Sequence, residues 1–203
     1  MKKLLIPIII IVVLIFIVGS WIAGLNNEMV ALDENATGQW ANVESSYQRR
    51  SDLIPNIVNT AKGYAEFEKE TLTQVIEARS RATSVNIDPS NITPEQLEQF
   101  QQAQSGLTSA LSRLLATFER YPDLKANENF KELINELERT ENRINVERNR
   151  FNGTVREYNT YIRKFPNTLA ASVLGFDQKG YFEAEAGSEV APNVEFDFGS
   201  SDS

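Results

Sequence analysis

Residues 4–25 read LLIPIIIIVVLIFIVGSWIAGL and contain no charged side chain. As an α-helix, at about 1.5 Å per residue, this stretch would be roughly 33 Å long, which is enough to cross the ~30 Å hydrocarbon core of a bilayer. Pro7 falls in the first turn of such a helix, where its missing N–H costs little. The stretch therefore predicts a transmembrane anchor near the N-terminus.

The charges on either side of this anchor predict its direction. Lys2 and Lys3 precede it. After it, all the charged residues before the first cation, Arg49, are acidic. Because the cytoplasmic flank of a span retains Lys and Arg, we expect residues 1–3 in the cytoplasm and the rest of this single-pass chain on the other side of the membrane.

A cleaved signal peptide is the alternative to a retained anchor. Val18-Gly19-Ser20 could serve as a cleavage site. The apolar region of a signal peptide normally has about 7 to 15 residues, and here it continues to Leu25. This length favours the retained anchor, and the absence of Cys excludes bacterial lipid attachment through a cysteine.

Composition excludes several function classes. The net charge is −8, which disfavours a nucleic-acid partner. The chain has no His and no Cys, so it lacks the usual ligands of zinc, copper and haem as well as Cys nucleophiles and the commonest general base. We therefore expect no catalytic residue, no metal site and no cofactor.

Residues 26–84 show the spacing of an amphipathic helix. Their apolar side chains recur at intervals of three and four; they are Met29, Ala36, Trp40, Val43, Tyr47, Ile54, Ile57, Ala61, Tyr64 and Val75. Pro55 cannot donate a hydrogen bond to the carbonyl of Ser51, which predicts a kink or break near residues 52–56.

A loop at residues 85–92 precedes the second helix. Thr93, Pro94 and Gln96 together form a capping box with proline at the first helical position, and this predicts a helix start at Thr93. The inward face of this helix is apolar and consists of Leu97, Phe100, Leu107, Leu111, Leu114, Leu115 and Phe118. The helix should end by Tyr121, because Pro122 follows.

The third helix is predicted at residues 129–164 and has a seven-residue repeat typical of coiled coils. One series is Phe130, Leu137, Ile144, Phe151 and Tyr158, and the second is Ile134, Glu141, Arg148, Val155 and Ile162. At about 1.5 Å per residue this helix would be roughly 54 Å long. A rod of antiparallel helices follows from this length.

The chain ends in a short helix and an acidic segment. Residues 168–174 predict the short helix, and residues 177–203 carry seven acidic side chains against one basic side chain. Its apolar residues predict a partly extended, partly docked segment that becomes disordered past Gly199; they are Tyr181, Phe182, Val194, Phe196 and Phe198.

The predicted fold class is therefore all-α. We expect a transmembrane helix at residues 4–25 and an elongated antiparallel bundle at residues 26–176, with three long helices, the first kinked near Pro55, and a short fourth. Residues 177–203 form the acidic tail, partly extended or disordered.

Charged residues fall within the predicted core stripe. An unpaired buried charge is too costly to persist, so we expect an interhelical cluster of Arg50, Glu141 and Arg148, with Arg49 at a comparable position. Asp52 and Asn56 are expected to satisfy the backbone groups that Pro55 frees. Such a cluster would set helix register, or would bind a partner or a small ligand.

The same residues carry a family resemblance. The most specific matches are RRSDLIPNIV at residues 49–58 and YPDLKA at residues 121–126. Further matches are Trp40, Lys62-Gly63-Tyr64, Glu77-Ala78-Arg79, Glu119-Arg120, Glu141, Arg148, Phe151-Asn152, Tyr158-Asn159, Phe165-Pro166 and Gly175-Phe176. With these the chain resembles the LemA family of bacterial membrane proteins. The resemblance implies one N-terminal transmembrane helix followed by an elongated helical bundle, and it implies no particular biochemical activity.

Two functions are open. The first is a non-enzymatic scaffold of the bacterial inner membrane, whose exported bundle binds other envelope proteins or a second copy of itself. Apolar residues beside the main stripe are the candidates for self-association, and they are Leu53, Val58, Phe67 and Leu72. The second is an envelope sensor, in which the polar cluster near Pro55 binds a small solute and the kink transmits binding to the anchor.

Overall fold

The computed structural model describes residues 2–63 and 68–183, with side chains from residue 7 onward. Within these ranges the protein is helical and has no β-strand. The helices are α1 (Lys2–Lys62), α2 (Lys69–Ser84), α3 (Pro94–Phe118), α4 (Pro122–Ala126), α5 (Glu128–Arg163) and α6 (Asn167–Leu174). The predicted all-α fold is confirmed.

Helix α1 joins the apolar stretch to the bundle without interruption. It has 61 residues, which corresponds to about 90 Å. The side chains of residues 7–24 are exposed, and Met29 is the first fully buried one. Among the described residues this is the one helix long and apolar enough to span a membrane. Membrane segment and bundle therefore share one continuous helix.

Four helices form an antiparallel bundle. Helix α5 runs antiparallel to α1, because Gln39 contacts Glu147 whereas Arg49 contacts Glu136. Helix α3 runs antiparallel to α2, because Gln104 contacts Ala82 and Arg120 contacts Glu68. The predicted seven-residue repeat of α5 is one of the buried faces: all five members of its first series, from Phe130 to Tyr158, are buried.

The interior contains three apolar clusters along the rod. The distal core, farthest from the anchor, is mostly aliphatic and includes Ile54, Ile57, Val58, Leu72, Val75, Leu107, Leu114, Phe130 and Leu137. The aromatic core lies nearer the anchor and includes Trp40, Tyr47, Ile87, Ile92, Phe100, Ile144, Phe151 and Phe182. The proximal core, next to the anchor, consists of Met29, Tyr158, Ile162 and Ala171.

The helix boundaries follow the local sequence. The predicted capping box at the start of α3 is present, with the Gln96 N–H donating to the Thr93 hydroxyl and the Thr93 N–H donating to the Gln96 side chain. Helix α5 begins one residue before its predicted start and ends one residue before its predicted end. The short helix predicted at residues 168–174 is α6.

The predicted break near Pro55 is wrong, whereas the predicted kink stays a prediction. Helix α1 continues through this residue, and the helix ends instead at Lys62. The carbonyl of Ser51, which Pro55 cannot satisfy, accepts a hydrogen bond of 2.8 Å from Nε of Arg79 on α2. A charged donor from the neighbouring helix thus replaces the missing intrahelical bond.

The apolar residues that were expected to mediate self-association are packed into the bundle, as far as the structure describes them. Val58 and Leu72 are buried in the distal core, and Leu53 packs against it. These side chains complete the monomer and are not a spare face. Tyr64 and Phe67 lie outside the described residues, as do Val194, Phe196, Phe198 and the segment past Gly199.

Residues 177–183, here termed the strap, lie along α5 in an extended conformation. Three side-chain amides bind the strap. Each amide accepts a hydrogen bond from the backbone N–H of one strap residue and donates a hydrogen bond to the carbonyl of the same residue. The pairs are Asn159 with Lys179, Asn152 with Phe182, and Gln101 with Glu183. These side chains take the place of a neighbouring β-strand.

Candidate functional site

A groove between α3 and α5 is the candidate site. Helix α1 packs along α5 and α2 packs along α3, while α3 and α5 face each other across a cavity of about 830 Å³. Its rims are mostly uncharged polar side chains, including Gln101, Ser105, Thr108, Ser112, Asn142, Asn145, Asn149 and Asn152. Residues of α1, Tyr47 and Arg50, form its floor.

Arg50 is the principal charge at the floor and is 1 % exposed. Its Nη1 donates to Oε1 of Glu141 at 2.8 Å and to the hydroxyl of Thr108 at 2.9 Å. Its Nη2 donates to the side-chain oxygen of Gln104 at 2.6 Å. The guanidinium also lies over the ring of Tyr47, 5.1 Å from the centroid. One cation therefore connects α1, α3 and α5.

This polar layer separates two of the apolar clusters. Along α5, Glu141 lies between Leu137 of the distal core and Ile144 of the aromatic core; along α3, Gln104 lies between Leu107 and Phe100. The buried charge of Arg50 is thus held, between the two apolar clusters, by partners on two other helices.

Only part of the predicted cluster comes together. Arg50 and Glu141 pair as expected, whereas Arg148 lies farther along the groove. Its guanidinium is over the ring of Phe182, 4.8 Å from the centroid, and donates to the carbonyl of Glu183 at 3.0 Å. Arg148 therefore contacts the strap at the membrane-proximal end of the groove.

The other three predicted members are not in the groove. Arg49 is 65 % exposed at its side chain and pairs with Glu136 at 2.6 Å, on a different face of α1. Asp52 is exposed and accepts from Gln48, and Asn56 is exposed as well. The role predicted for Asp52 and Asn56 at the proline is wrong, because Arg79 satisfies the Ser51 carbonyl. One helical residue rotates a side chain by about 100°, which separates the neighbours Arg49 and Arg50.

Two site residues, and one buried polar residue outside the groove, were missed from the sequence. Gln104 interrupts the apolar spacing from Phe100 to Leu107, and this polar residue within a stripe was a usable signal. Thr108 follows Gln104 by one turn. Glu147 of α5 is buried and accepts from Gln39 and Arg150, outside the groove; its spacing of three from Ile144 places it at the edge of the same stripe.

Two pKa shifts mark packed contacts outside the groove. Hydrogen bonds from Arg49 and then Arg139 hold the pKa of Glu136 below its ordinary value. Burial, followed by the nearby charges of Asp33 and Asp177, raises the pKa of the Tyr158 phenol well above its ordinary value. The Tyr158 hydroxyl donates to the Asp177 carbonyl at 2.8 Å, which ties the start of the strap to α5.

The chemistry of the groove is that of a binding site for polar groups. Its side chains offer hydrogen bonds and one buried ion pair, and the sequence supplies neither His nor Cys. In the part of the chain that the structure describes, no group of three or more His, Cys, Asp or Glu side chains is placed to hold a metal ion. The arrangement is suited to recognition of a peptide segment or a polar solute.

An antiparallel bundle that continues into an apolar N-terminal helix defines a membrane-anchored helical-bundle protein. The family model described as LemA family matches residues 39–196, which is more than half of the chain. The chain belongs to the LemA family, as its sequence motifs predicted.

Individual relatives agree with this assignment. The magnetosome protein MamQ of Magnetospirillum gryphiswaldense is 27% identical over 175 residues, covering 77% of this chain and 64% of that protein. Protein LemA of Metamycoplasma hominis is 24% identical over 161 residues, covering 79% of this chain and 70% of that protein. The chain thus spans slightly less than two thirds of the length of the magnetosome relative.

Proposed function

We propose that the protein is a non-enzymatic scaffold of the bacterial inner membrane, and that its bundle binds another envelope protein through the groove between α3 and α5. The observation that carries the proposal is the groove itself: between α3 and α5 the bundle keeps an open cavity of about 830 Å³, which has polar rims and is also lined by apolar side chains, among them Leu111, Leu115 and Leu137. Lys2 and Lys3 support placing this bundle outside the cytoplasm.

The groove's chemistry suggests the type of partner. Its rims carry Ser, Thr, Asn and Gln side chains, which can pair with the backbone of a bound segment. The strap already shows this mode, since side-chain amides of Asn152 and Gln101, which also line the groove, each pair with both backbone groups of a strap residue. A partner segment in an extended conformation would be bound in the same way.

The continuous helix sets the height of the groove. From the predicted end of the span at Leu25 to Arg50 there are 25 residues of uninterrupted α1, which corresponds to about 38 Å. A partner must therefore present its binding segment roughly that far from the hydrocarbon edge. Partners of the scaffold must therefore have a domain beyond the membrane surface.

Site-specific photocrosslinking in intact cells tests the proposal. Benzoylphenylalanine would be placed at Ser112 and Asn145 on the groove rims, and at Thr73 and Ser80, exposed positions of α2 outside the groove, as matched controls. We expect one discrete protein adduct from the rim positions and none from the controls.

A groove-filling variant makes the result specific. Ser105→Trp should abolish the adduct at Asn145 while the melting temperature stays unchanged, because Ser105 is an exposed rim residue. Equal adducts from α2, or adducts that persist in Ser105→Trp, would contradict binding through the groove.

A small polar solute is the second candidate occupant. Nε of Arg50 is buried and has no hydrogen-bond partner in the described structure, so an acceptor group would satisfy it. Thermal-shift screening with envelope metabolites tests this, because a ligand of the folded state raises the melting temperature by mass action. A proline hinge that transmits binding to the anchor would have to act within a continuous α1.

A further inference from the structure

Helix α6 lies where α1 leaves the apolar stretch. Ala171 of α6 is buried against Met29 in the proximal core, and Ala170 and Phe176 pack against the same cluster together with Leu25. Helix α6 therefore lies beside the segment of α1 that directly follows the predicted span.

The outward side of this region is apolar. Among the described residues beyond residue 25, eight large apolar side chains are exposed, and five of them are at this end of the bundle. These five are Val30, Phe165, Leu169, Val173 and Leu174. Phe165 is 81 % exposed and Val173 is 86 % exposed. Soluble surfaces seldom collect apolar side chains in this way unless another apolar phase covers them.

The bilayer itself lies at the right height to cover them. A bilayer is about 40–45 Å thick with its headgroups and about 30 Å without them, so each headgroup layer is roughly 5–8 Å deep. At about 1.5 Å per residue, this layer covers some three to five residues of α1 beyond Leu25. Met29, which packs against α6, falls within that interval.

Spacing and charge agree with a lipid contact. Leu169 and Val173 are four residues apart in α6, the spacing of one helical face, and Phe165 lies in the turn that directly precedes this helix. Arg163 and Lys164 are exposed and directly precede this face. Basic residues beside an apolar face are typical of segments that lie in the interface of membranes with anionic lipids.

We propose that Phe165, Leu169 and Val173 insert into the headgroup layer of the bilayer leaflet from which α1 emerges. The protein then has two membrane contacts, the span and α6. The second contact stops the bundle from rotating about the axis of α1 and gives the bundle one orientation on the membrane. This contact does not depend on whether the groove binds a partner.

Single cysteines test the insertion, because the natural chain has none. The full-length protein, carrying Val173→Cys labelled with the fluorophore NBD, would be reconstituted at low protein density in vesicles of phosphatidylethanolamine and phosphatidylglycerol. Val146→Cys is the matched control, since Val146 is also an exposed valine, on α5 near the groove. Leu169→Cys and Ile76→Cys form a second pair.

We expect nitroxide lipids labelled near the headgroup to quench the probe at Val173 about threefold more than at Val146, given an insertion depth of 5–10 Å for interfacial helices. Aqueous iodide should quench the probe at Val173 less. Circular dichroism of each labelled protein checks that the helices are retained, which exposed positions favour.

Two outcomes would overturn the proposal. Equal lipid quenching and equal iodide quenching at Val173 and Val146 would mean that α6 stays in water above the membrane. Efficient disulfide formation between copies of Val173→Cys at low protein density would mean that a second copy, and not lipid, covers the face.

Discussion

The distal core and the aromatic core are closed by different means. In the distal core α2 packs as a fourth helix along α3 and against α1. Helix α2 has only 16 residues, so at the level of the aromatic core the fourth helix is missing. The loop after α2 supplies Ile87 and Ile92 there, and the strap supplies Phe182. The membrane-proximal half of the bundle therefore depends on a segment that follows α6 in the sequence.

Because the strap closes the aromatic core, Phe182 of the strap should contribute as much to the free energy of unfolding as a core residue of a helix does. Phe182 is buried and stacks on Trp40, with ring centroids 6.0 Å apart. Phe182→Ala should lower the free energy of unfolding by about 4 kcal/mol, since it removes a buried aromatic and leaves a cavity. The matched control Tyr181→Ala, at a half-exposed neighbour, should cost less than about 1 kcal/mol. Denaturant titration of both variants measures the difference.

The part of the bundle that Phe182→Ala destabilises provides a second test. Hydrogen exchange in Phe182→Ala should increase in α1 near Trp40 and much less in α2. Uniform acceleration along the bundle would show that the two cores are not closed independently.

The polar layer between the two cores should be the next most sensitive position. Arg50→Ala removes a buried cation and leaves Glu141 and Gln104 without their partner. We expect a loss of about 3 kcal/mol, because one partner of a buried pair is left behind. Arg49→Ala is the adjacent control, and its exposed pair should contribute less than about 1 kcal/mol. Chemical unfolding would contradict this assignment if the two variants lost equal stability.

Arg49 and Arg50 show which features of the site can be predicted from the sequence and which cannot. The stripe and the seven-residue repeat predicted the helices, and the cost of a buried charge predicted that Arg50 pairs with Glu141. Which of two adjacent arginines faces inward depends on the rotation of α1 against α5, and this is decided by packing along the whole helix. The same uncertainty placed Asp52 and Asn56 in the site, although both are exposed.

A substitution at the contact between the strap and the start of α3 should have a smaller effect on stability. A Cβ atom on Gly180 would lie 2.8 Å from the Cα of Pro94, so Gly180→Ala should cost about 2 kcal/mol through overpacking. Gly106→Ala is the control of opposite sign: nothing lies within 4 Å of its Cβ position, and alanine favours a helix by about 0.5–1 kcal/mol. Melting temperatures that shift in the same direction would refute the close approach of the strap.

The bond at the proline should have the smallest effect. Arg79→Leu leaves the Ser51 carbonyl without its donor and should cost about 1.5 kcal/mol. In a Pro55→Ala background the new N–H can satisfy that carbonyl, so the cost should fall by about 1 kcal/mol in a double-mutant cycle. A coupling energy of zero would show that Arg79 does not compensate for the proline.

This bond also explains why the expected interruption did not occur. The sequence contains both Pro55 and Arg79, but the 24 positions that separate them hide the contact. Local rules predict what proline removes from a helix, whereas the replacement depends on the chain reversal after Lys62. The strap was beyond sequence reasoning for a similar reason, since its amide partners lie on α3 and α5.

The continuity of α1 from the membrane into the bundle is the feature on which the scaffold depends, and hydrogen exchange measures it most directly. In full-length protein reconstituted in lipid nanodiscs, the amides of residues 26–36 should be protected as strongly as those of residues 40–50. An unstructured peptide of the same sequence provides the unprotected reference. Exchange at residues 26–30 as fast as in that peptide would reveal a flexible joint, and it would contradict a bundle held at a fixed height above the membrane.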